Sequence, residues 1–405
     1  MKWEKSVENG LEYKQNLILL FTIVLVMISV SANRPLLMLP VGFFCIWILA
    51  SWFLTKSLGK NLELSDDKRL IRIYQGEYGK CKMVFRNESA IPYIGGFIGF
   101  STNQKIESLK FRTTSTAHKT FYRVPIFISG KSEAVITFPF YAKERGVIRI
   151  TNIEFFFPHL LTFHDVLLRF KKIYGTEIVV YPKPIPVGGI ENFPYIQIGN
   201  QTSRFSPFED TMKLQGTKEY SSSDPFNRIH WKASAKEQKL QSKLFERDHH
   251  VSWAIMINVA QKSRIGNVYI SPNTEKYISQ AAYLCQVIIK QGFPVALYIN
   301  SKGLGARPYV LESGTGIEHL KKIMEYLARF DESTEIMDIG KMLEWVDYKS
   351  GPANLIAIIG EVSQECSLII NKWDREGRKI LHVVDTENGS YLTEIKNERF
   401  YKNVK

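Results

Sequence analysis

Between Gly216 and Lys236 the chain gathers Tyr220, Asp224, Arg228, His230 and Trp231 within one short stretch. Asp224 with His230 would suit acid–base chemistry, because a carboxylate can orient an imidazole that exchanges protons near neutral pH. No Ser, Cys or Glu nucleophile is marked by an accompanying motif, and Ser221 to Ser223 reads as turn. Ser-Asp-Pro starts turns, since Asp bonds its own backbone and Pro fixes φ. The expectation is a strand or loop, a turn closed by hydrogen bonds to Asp224, and an extended Ile-x-Trp segment. If extended, that segment buries Ile229 and Trp231 and turns Arg228, His230 and Lys232 to the other side. Asp224 is expected to pair with a nearby cation, Arg228 being the closest candidate in sequence. Trp231 is expected between the two soluble domains, making the stretch a structural knot.

Other chemistry is weakly marked. Cys45, Cys81, Cys285 and Cys366 lie far apart with no CxxC, which suits a reducing compartment and argues against a thiolate metal site. His159 and His164 flank aromatics in Phe157–Phe163 and read as a structural loop. His249 and His250 follow Asp248, but neighbours on a strand point to opposite faces and rarely share one ion. Ser313-Gly-Thr-Gly316 lacks the Lys-Ser/Thr of a phosphate-binding loop. Lys232, Lys236, Lys239, Lys243 and Arg247 recur at helical spacing. As a helix they form a basic stripe facing anionic lipid; as extended chain they split between faces, with Leu240, Leu244 and Phe245 partly buried.

The elements that must position these residues differ along the chain. Its 405 residues carry a formal net charge of +13, which favours an acidic partner surface. Two uncharged apolar runs, at about 16–33 and 35–55, are each long enough to cross the hydrocarbon core as a helix. Asn33-Arg34-Pro35 makes the turn between them. Lys2, Lys5 and Lys14 precede the pair and Lys56, Lys60, Lys68, Arg69 and Arg72 follow it, so both termini are expected in the cytoplasm. From 61 to 185 short β-rich segments separated by turns suggest a sandwich. Pro182-Lys-Pro-Ile-Pro-Val-Gly-Gly189 punctuates the chain, and 190–215 is polar and irregular. From 250 to 405 apolar strands alternate with amphipathic helices, the pattern of a doubly wound parallel sheet.

The 216–236 stretch resembles the signature of a bacterial family known as domain of unknown function fifty-eight. Tyr220, Asp224, Arg228, Ile229, Trp231, Lys232 and Ala235 match its pattern, while Lys218 and Lys236 stand where that family has Arg. Ser223 replaces its turn Gly and Asn227 one of two Arg residues. The resemblance implies a membrane hairpin, a β-rich domain and a von Willebrand factor A-like domain. It also implies partnership with AAA+ ATPases of the MoxR type and sometimes with transglutaminase-like membrane proteins. Metal-binding domains of the von Willebrand type carry Asp-x-Ser-x-Ser after their first strand; here Asn258, Ala260 and Lys262 occupy those positions. The carboxylate and both hydroxyls are gone, so no metal is expected there, and no cofactor elsewhere.

The chain therefore reads as a membrane-anchored multidomain protein: two transmembrane α-helices, an all-β sandwich-like domain, and an α/β doubly wound von Willebrand A-like domain. Residues 1–60 form the hairpin, 61–185 the β-domain, 186–249 a linker with the signature, and 250–405 the α/β domain. Its expected place is the inner membrane of a bacterium, multi-pass, with the soluble domains in the cytoplasm. The expected role is a non-enzymatic interaction protein contacting a protein partner and membrane lipids. An enzyme centred on Asp224 and His230 is the alternative, as is a nucleic-acid binder using the basic surface, which the membrane anchor disfavours.

Overall fold

A computed structural model describes residues 3–7, 10–31, 38–65, 68–108, 110–161, 164–192, 209–247, 251–263, 265, 267–303, 307–331, 334–349, 353–363 and 366–395. The Asn33–Pro35 turn and the Asp248-His249-His250 run lie outside the described residues. Two compact units emerge, one of Met1–Lys183 with Ala328–Phe330, the other of Pro184–Leu327 with Asp331–Lys405. The division falls inside the Pro/Gly-rich punctuation.

The first unit begins with a strand, β1 (Trp3–Val7), then two helices, α1 (Gly10–Ser31) and α2 (Met38–Ser57). One helix among the described residues, Leu39–Ser57, is long and apolar enough to cross a membrane; Ile18–Ser31 is a shorter apolar helix. Phe21 and Phe44 pack edge to face across the pair, 5.8 Å between centroids. Next come β2 (Leu62–Ser65), β3 (Leu70–Tyr74), β4 (Tyr78–Asn87), β5 (Tyr93–Thr102), β6 (Ile106–Glu107) and β7 (Arg112–Ser115). The unit closes with β8 (Thr120–Ile128), β9 (Ser132–Ala142), β10 (Gly146–Arg149), β11 (Thr151–Pro158), β12 (Asp165–Phe170) and β13 (Glu177–Tyr181).

These strands build a β-sandwich. A six-stranded sheet ordered β1-β12-β11-β5-β8-β7 faces a four-stranded sheet ordered β2-β4-β9-β6, beside a three-stranded sheet β10-β13-β3. The physical cause is visible in β8, where Thr120, Tyr122, Val124, Ile126 and Ile128 are buried and the residues between them are exposed. A period of two puts one apolar face on the core and a polar face in water. Phe100 and Tyr122 meet Phe138 from the opposite sheet, with centroids 5.0 and 4.8 Å apart.

The second unit holds β14 (Val187–Gly188), β15 (Glu209–Glu219), α3 (Trp231–Glu237), β16 (Gln241–Arg247), β17 (Trp253–Ile257), β18 (Ala260–Lys262) and β19 (Val268–Ile270). It continues with α4 (Thr274–Lys290), β20 (Val295–Lys302), β21 (Pro308–Gly314), α5 (Gly316–Arg329), α6 (Ile339–Lys349), β22 (Leu355–Ile359), α7 (Ser367–Arg375), β23 (Lys379–Thr386) and β24 (Gly389–Glu394). A seven-stranded mixed sheet runs β14-β24-β23-β22-β17-β20-β21. Strands β23, β22, β17 and β20 are mutually parallel, and β21 and β24 pair antiparallel on either side. Every residue of β17 and of β22 is buried. Such runs need cover on both faces. The side of Ala254 and Met256 is covered by Met342 and Leu343 of α6 and Ile370 and Trp373 of α7, while α4 lies against β17, β20 and β22.

Candidate functional site

The stretch that gathers the most chemistry is an insertion within a β-hairpin. Strands β15 and β16 pair antiparallel with Glu219 opposite Gln241, forming a two-stranded sheet of their own. The backbone then runs through the Ser221–Asp224 turn, a single 3₁₀ turn at Phe226–Arg228, and α3 before returning to β16. The turn forms as its residues dictate. The Asp224 amide donates to the Ser221 carbonyl at 2.8 Å, and the Ser221 amide donates to Oδ2 of Asp224 at 3.2 Å. Lys218, on β15, donates from Nζ to Oδ1 at 2.7 Å. The Lys218 bond first, then the Ser221 amide, hold the Asp224 carboxyl below its ordinary range.

Two expectations are corrected here. The hydrogen-bonded ion-pair partner of Asp224 is Lys218, because the turn folds Asp224 back against β15; Arg228 adds only the smallest pull on the carboxyl, and its guanidinium sits 6.0 Å from the Phe245 ring centroid. The segment after Ile229 is also not extended. His230 caps α3, its Nδ1 accepting from the Ala233 amide at 3.1 Å, and the Ser234 hydroxyl donates to the His230 carbonyl. Ile229, still extended and bridged to Ser242 of β16, is buried, while Trp231 opens the helix and is 61% exposed. Trp231 is therefore no core anchor. It packs edge to face on Phe226, itself 71% exposed, at 5.9 Å.

The remaining signature residues follow from this geometry. Tyr220 is half-buried and its amide donates to the Leu240 carbonyl. Lys232, Ala235 and Lys236 are exposed on α3. The helix ends at Glu237, with Gln238 left-handed at φ 54°, so Lys239, Lys243 and Arg247 lie beyond it and no continuous helical stripe forms. Asp224 and His230 are not brought together. The carboxylate serves Lys218 and Ser221, the imidazole Nδ1 caps a helix, and among the described residues no hydrogen bond joins the two. Sequence reasoning missed Phe226, although an aromatic inside a polar turn was a usable signal. Leu214, Leu240 and Leu244 of the same hairpin are also exposed.

The second location is the end of β17. Parallel sheets bind ligands outside their carboxyl ends, where the strand order reverses. The Asn258 amide fills that place here. Its Oδ1 accepts from the Ala260 amide at 3.0 Å and from Asn300 Nδ2 at 2.6 Å, and its Nδ2 donates to the Glu361 carbonyl at 2.5 Å. Asn300 in turn accepts from the Val259 amide and donates to the Met337 carbonyl. Ala260 brings no donor atom, and the Lys262 ammonium lies 3.7 Å from Asp338. These residues do not fit a divalent cation, which needs convergent oxygen ligands free to bind it. Titration with Mg²⁺ or Mn²⁺ should leave the melting temperature of the full chain unchanged. A ligand at about 100 times its Kd would add about 2.7 kcal/mol. A saturable gain of that size, lost in Asn258→Ala, would overturn the assignment.

His159 and His164 bracket the β11–β12 connection. The His159 amide donates to the His164 carbonyl at 2.8 Å and the rings stack with centroids 4.9 Å apart. Burial first, then His164 and Lys5, draw the His159 pKa down to about 4. The native state thus keeps this ring neutral where the unfolded chain, with an ordinary value near 6.5, binds a proton. Stability from this group is full above about pH 6.5 and falls as pH drops toward 4, by about 1–3 kcal/mol. His159→Gln should flatten that part of the pH–stability profile measured by denaturant melts.

No protein-family model matches the chain, and no curated protein matches it at a significant level. Solved structures do match over segments. A β-glucosidase from Listeria innocua aligns at 15% identity and TM-score 0.17, over 29% of this chain and 16% of its own length. A cohesin from Acetivibrio cellulolyticus, solved with a dockerin, aligns at 16% identity and TM-score 0.19 over 29% of this chain and 98% of its own. A non-cellulosomal cohesin from Archaeoglobus fulgidus aligns at 13% identity and TM-score 0.18 over 30% of this chain and 89% of its own. Scores this low carry no argument about this chain.

Proposed function

We propose that this protein is a membrane-tethered, non-enzymatic interaction protein whose docking element is the β15–β16 hairpin. The observation that carries the reading is the exposure of Phe226, Trp231, Leu214, Leu240 and Leu244 on one small hairpin. Solvent does not reward such a cluster, and large aromatics beside cations mark protein contacts. Lys232, Lys236 and Lys243 lie on the same hairpin, whereas Lys218 pairs with Asp224 and Lys239 with Glu219, so the partner presents acidic groups beside an apolar centre. A MoxR-type AAA+ ATPase is the partner the signature's resemblance implies, with a transglutaminase-like membrane protein as the other. The seven-stranded sheet, with β22 central and its order reversing between β17 and β22, supports a von Willebrand A-like reading in which the metal positions have degenerated.

The tether consists of both helices crossing the membrane. Two observations support this. Leu20, Met27 and Val30 of α1 are exposed just as Leu39, Ile46 and Phe53 of α2 are, a surface suited to lipid. In addition, β1 precedes α1 and β2 follows α2, yet both strands belong to the same sandwich. If α2 crosses, the chain has to cross twice to bring its two flanks back to one side. The lysine and arginine excess puts that side in the cytoplasm of a bacterium, with the inner membrane as its location.

The test has two parts. A phosphatase fused to the C-terminus should be inactive outside the cell; activity there would reverse the orientation. Detergent-solubilised full chain should bind a purified MoxR-type ATPase from the same cell, and the Phe226→Ser/Trp231→Ser double variant should not. Equal binding by both would remove the hairpin from the interface.

A further inference from the structure

A cavity of about 280 Å³ opens where α2 meets the sandwich, lined by Trp3, Lys5, Trp52, Thr55, Lys56 and Leu168 among others. Two of its lining residues are lysines and none is acidic. Lys5 donates one proton from Nζ to the Thr55 carbonyl at 2.9 Å, at the end of α2, which leaves two for another acceptor. Lys56 lies over the Trp52 ring, 4.7 Å from its centroid. Trp3 is 3% exposed and its indole N–H finds no acceptor among the described residues. Burial draws the Lys5 ammonium below its ordinary value, an effect that an anion beside it would offset.

We propose that this cavity holds the headgroup phosphate of an anionic phospholipid, with Lys5 and Lys56 as its cations. Size and chemistry agree: the volume equals roughly nine waters at about 30 Å³ each, enough for a phosphate and a few carbon atoms. A free phosphate ion would find the same cations. Position favours the lipid. Leu49 and Ile46, exposed on α2, lie from Trp52 toward the apolar part of the helix, giving acyl chains a surface to follow. Tryptophan and lysine at the end of a spanning helix match the headgroup layer. The assignment rests on the tether reading, since only a spanning α2 brings the cavity to that layer.

Full-length protein in an uncharged detergent separates the possibilities. Titration with dihexanoyl phosphatidylglycerol, followed by tryptophan fluorescence, should saturate, with dihexanoyl phosphatidylcholine and inorganic phosphate binding at least about tenfold more weakly. Each juxtamembrane cation is worth about fivefold in affinity, so Lys5→Gln and Lys56→Gln should each weaken the phosphatidylglycerol isotherm by about that factor. Lys56 is exposed, and its variant keeps the test valid if Lys5→Gln fails to fold. Equal binding of the two lipids, or of phosphate and phosphatidylglycerol, overturns the lipid headgroup assignment, as does an unchanged isotherm in Lys56→Gln. Alkaline carbonate extraction of membranes reports on the tether by itself: release of the chain refutes the spanning helices, whatever the isotherms give.

Discussion

Gly360→Ala should destabilise the α/β unit by about 2–5 kcal/mol. Gly360 follows β22 at φ +98°, and a Cβ there would stand well inside van der Waals contact with the Asn258 carbonyl oxygen. Two costs add. A left-handed backbone costs an L-residue roughly 1–2 kcal/mol, and forcing atoms into a packed site costs roughly 1–3 more. The backbone cannot retreat easily, because the Asn258 amide donates to the Ile359 carbonyl and His382 Nε2 sits 2.8 Å from the Gly360 carbonyl. Gly377 provides the control. Its φ is +80° but nothing lies within 4 Å of an added Cβ. Gly377→Ala should therefore carry the backbone cost alone. Equal melting temperatures for the two variants would show that β17 and β22 do not approach as closely as described.

Trp231→Ala should weaken partner binding by at least about thirtyfold while leaving the melting temperature almost unchanged. A buried tryptophan removed from a core costs about 3–5 kcal/mol of stability. Trp231 is 61% exposed and rests mainly on Phe226, so little of that penalty applies, and surface changes of this kind stay within about 0.5 kcal/mol. Interface tryptophans that act as anchors cost about 2 kcal/mol or more of binding when truncated. Phe226→Ala should behave alike, and the double variant should lose less than the sum, because the rings lean on each other. A large drop in melting temperature with intact binding would restore a structural role and defeat docking through this hairpin.

The α/β unit was the most legible part of the sequence. Its helices α4 to α7 carry apolar residues at helical spacing, β17 and β22 are unbroken apolar runs, and β20 and β23 have apolar centres. The strands that escaped notice had reasons to. Strand β5 contains Gly95, Gly96 and Gly99, which weaken any β signal; Gly96 is needed because the Phe155 ring occupies the space of a side chain. Strand β1 is five residues long and half polar. In the signature, turn chemistry at Ser221–Asp224 was readable from residue type alone. The helix after Ile229 was not, since a seven-residue helix offers too few positions to show a period. Burial of Trp231 was inferred from its size, but size sets only what burial would gain, and tertiary packing decides whether it happens.

Strand β1 also dictates an order of assembly. It leaves the ribosome well before its pairing partner, Asp165–Phe170 of β12. At about 5–20 residues per second, roughly ten to thirty seconds of synthesis separate the two. On the tether proposed above, the helices would enter the membrane during that interval, with the five-residue strand held unpaired on the synthesising side. Until it docks, β12 presents an open edge able to pair with another chain. A fragment that starts after α2 would keep that edge open permanently, and aggregation of such a fragment would reflect the missing first strand rather than an unstable sandwich.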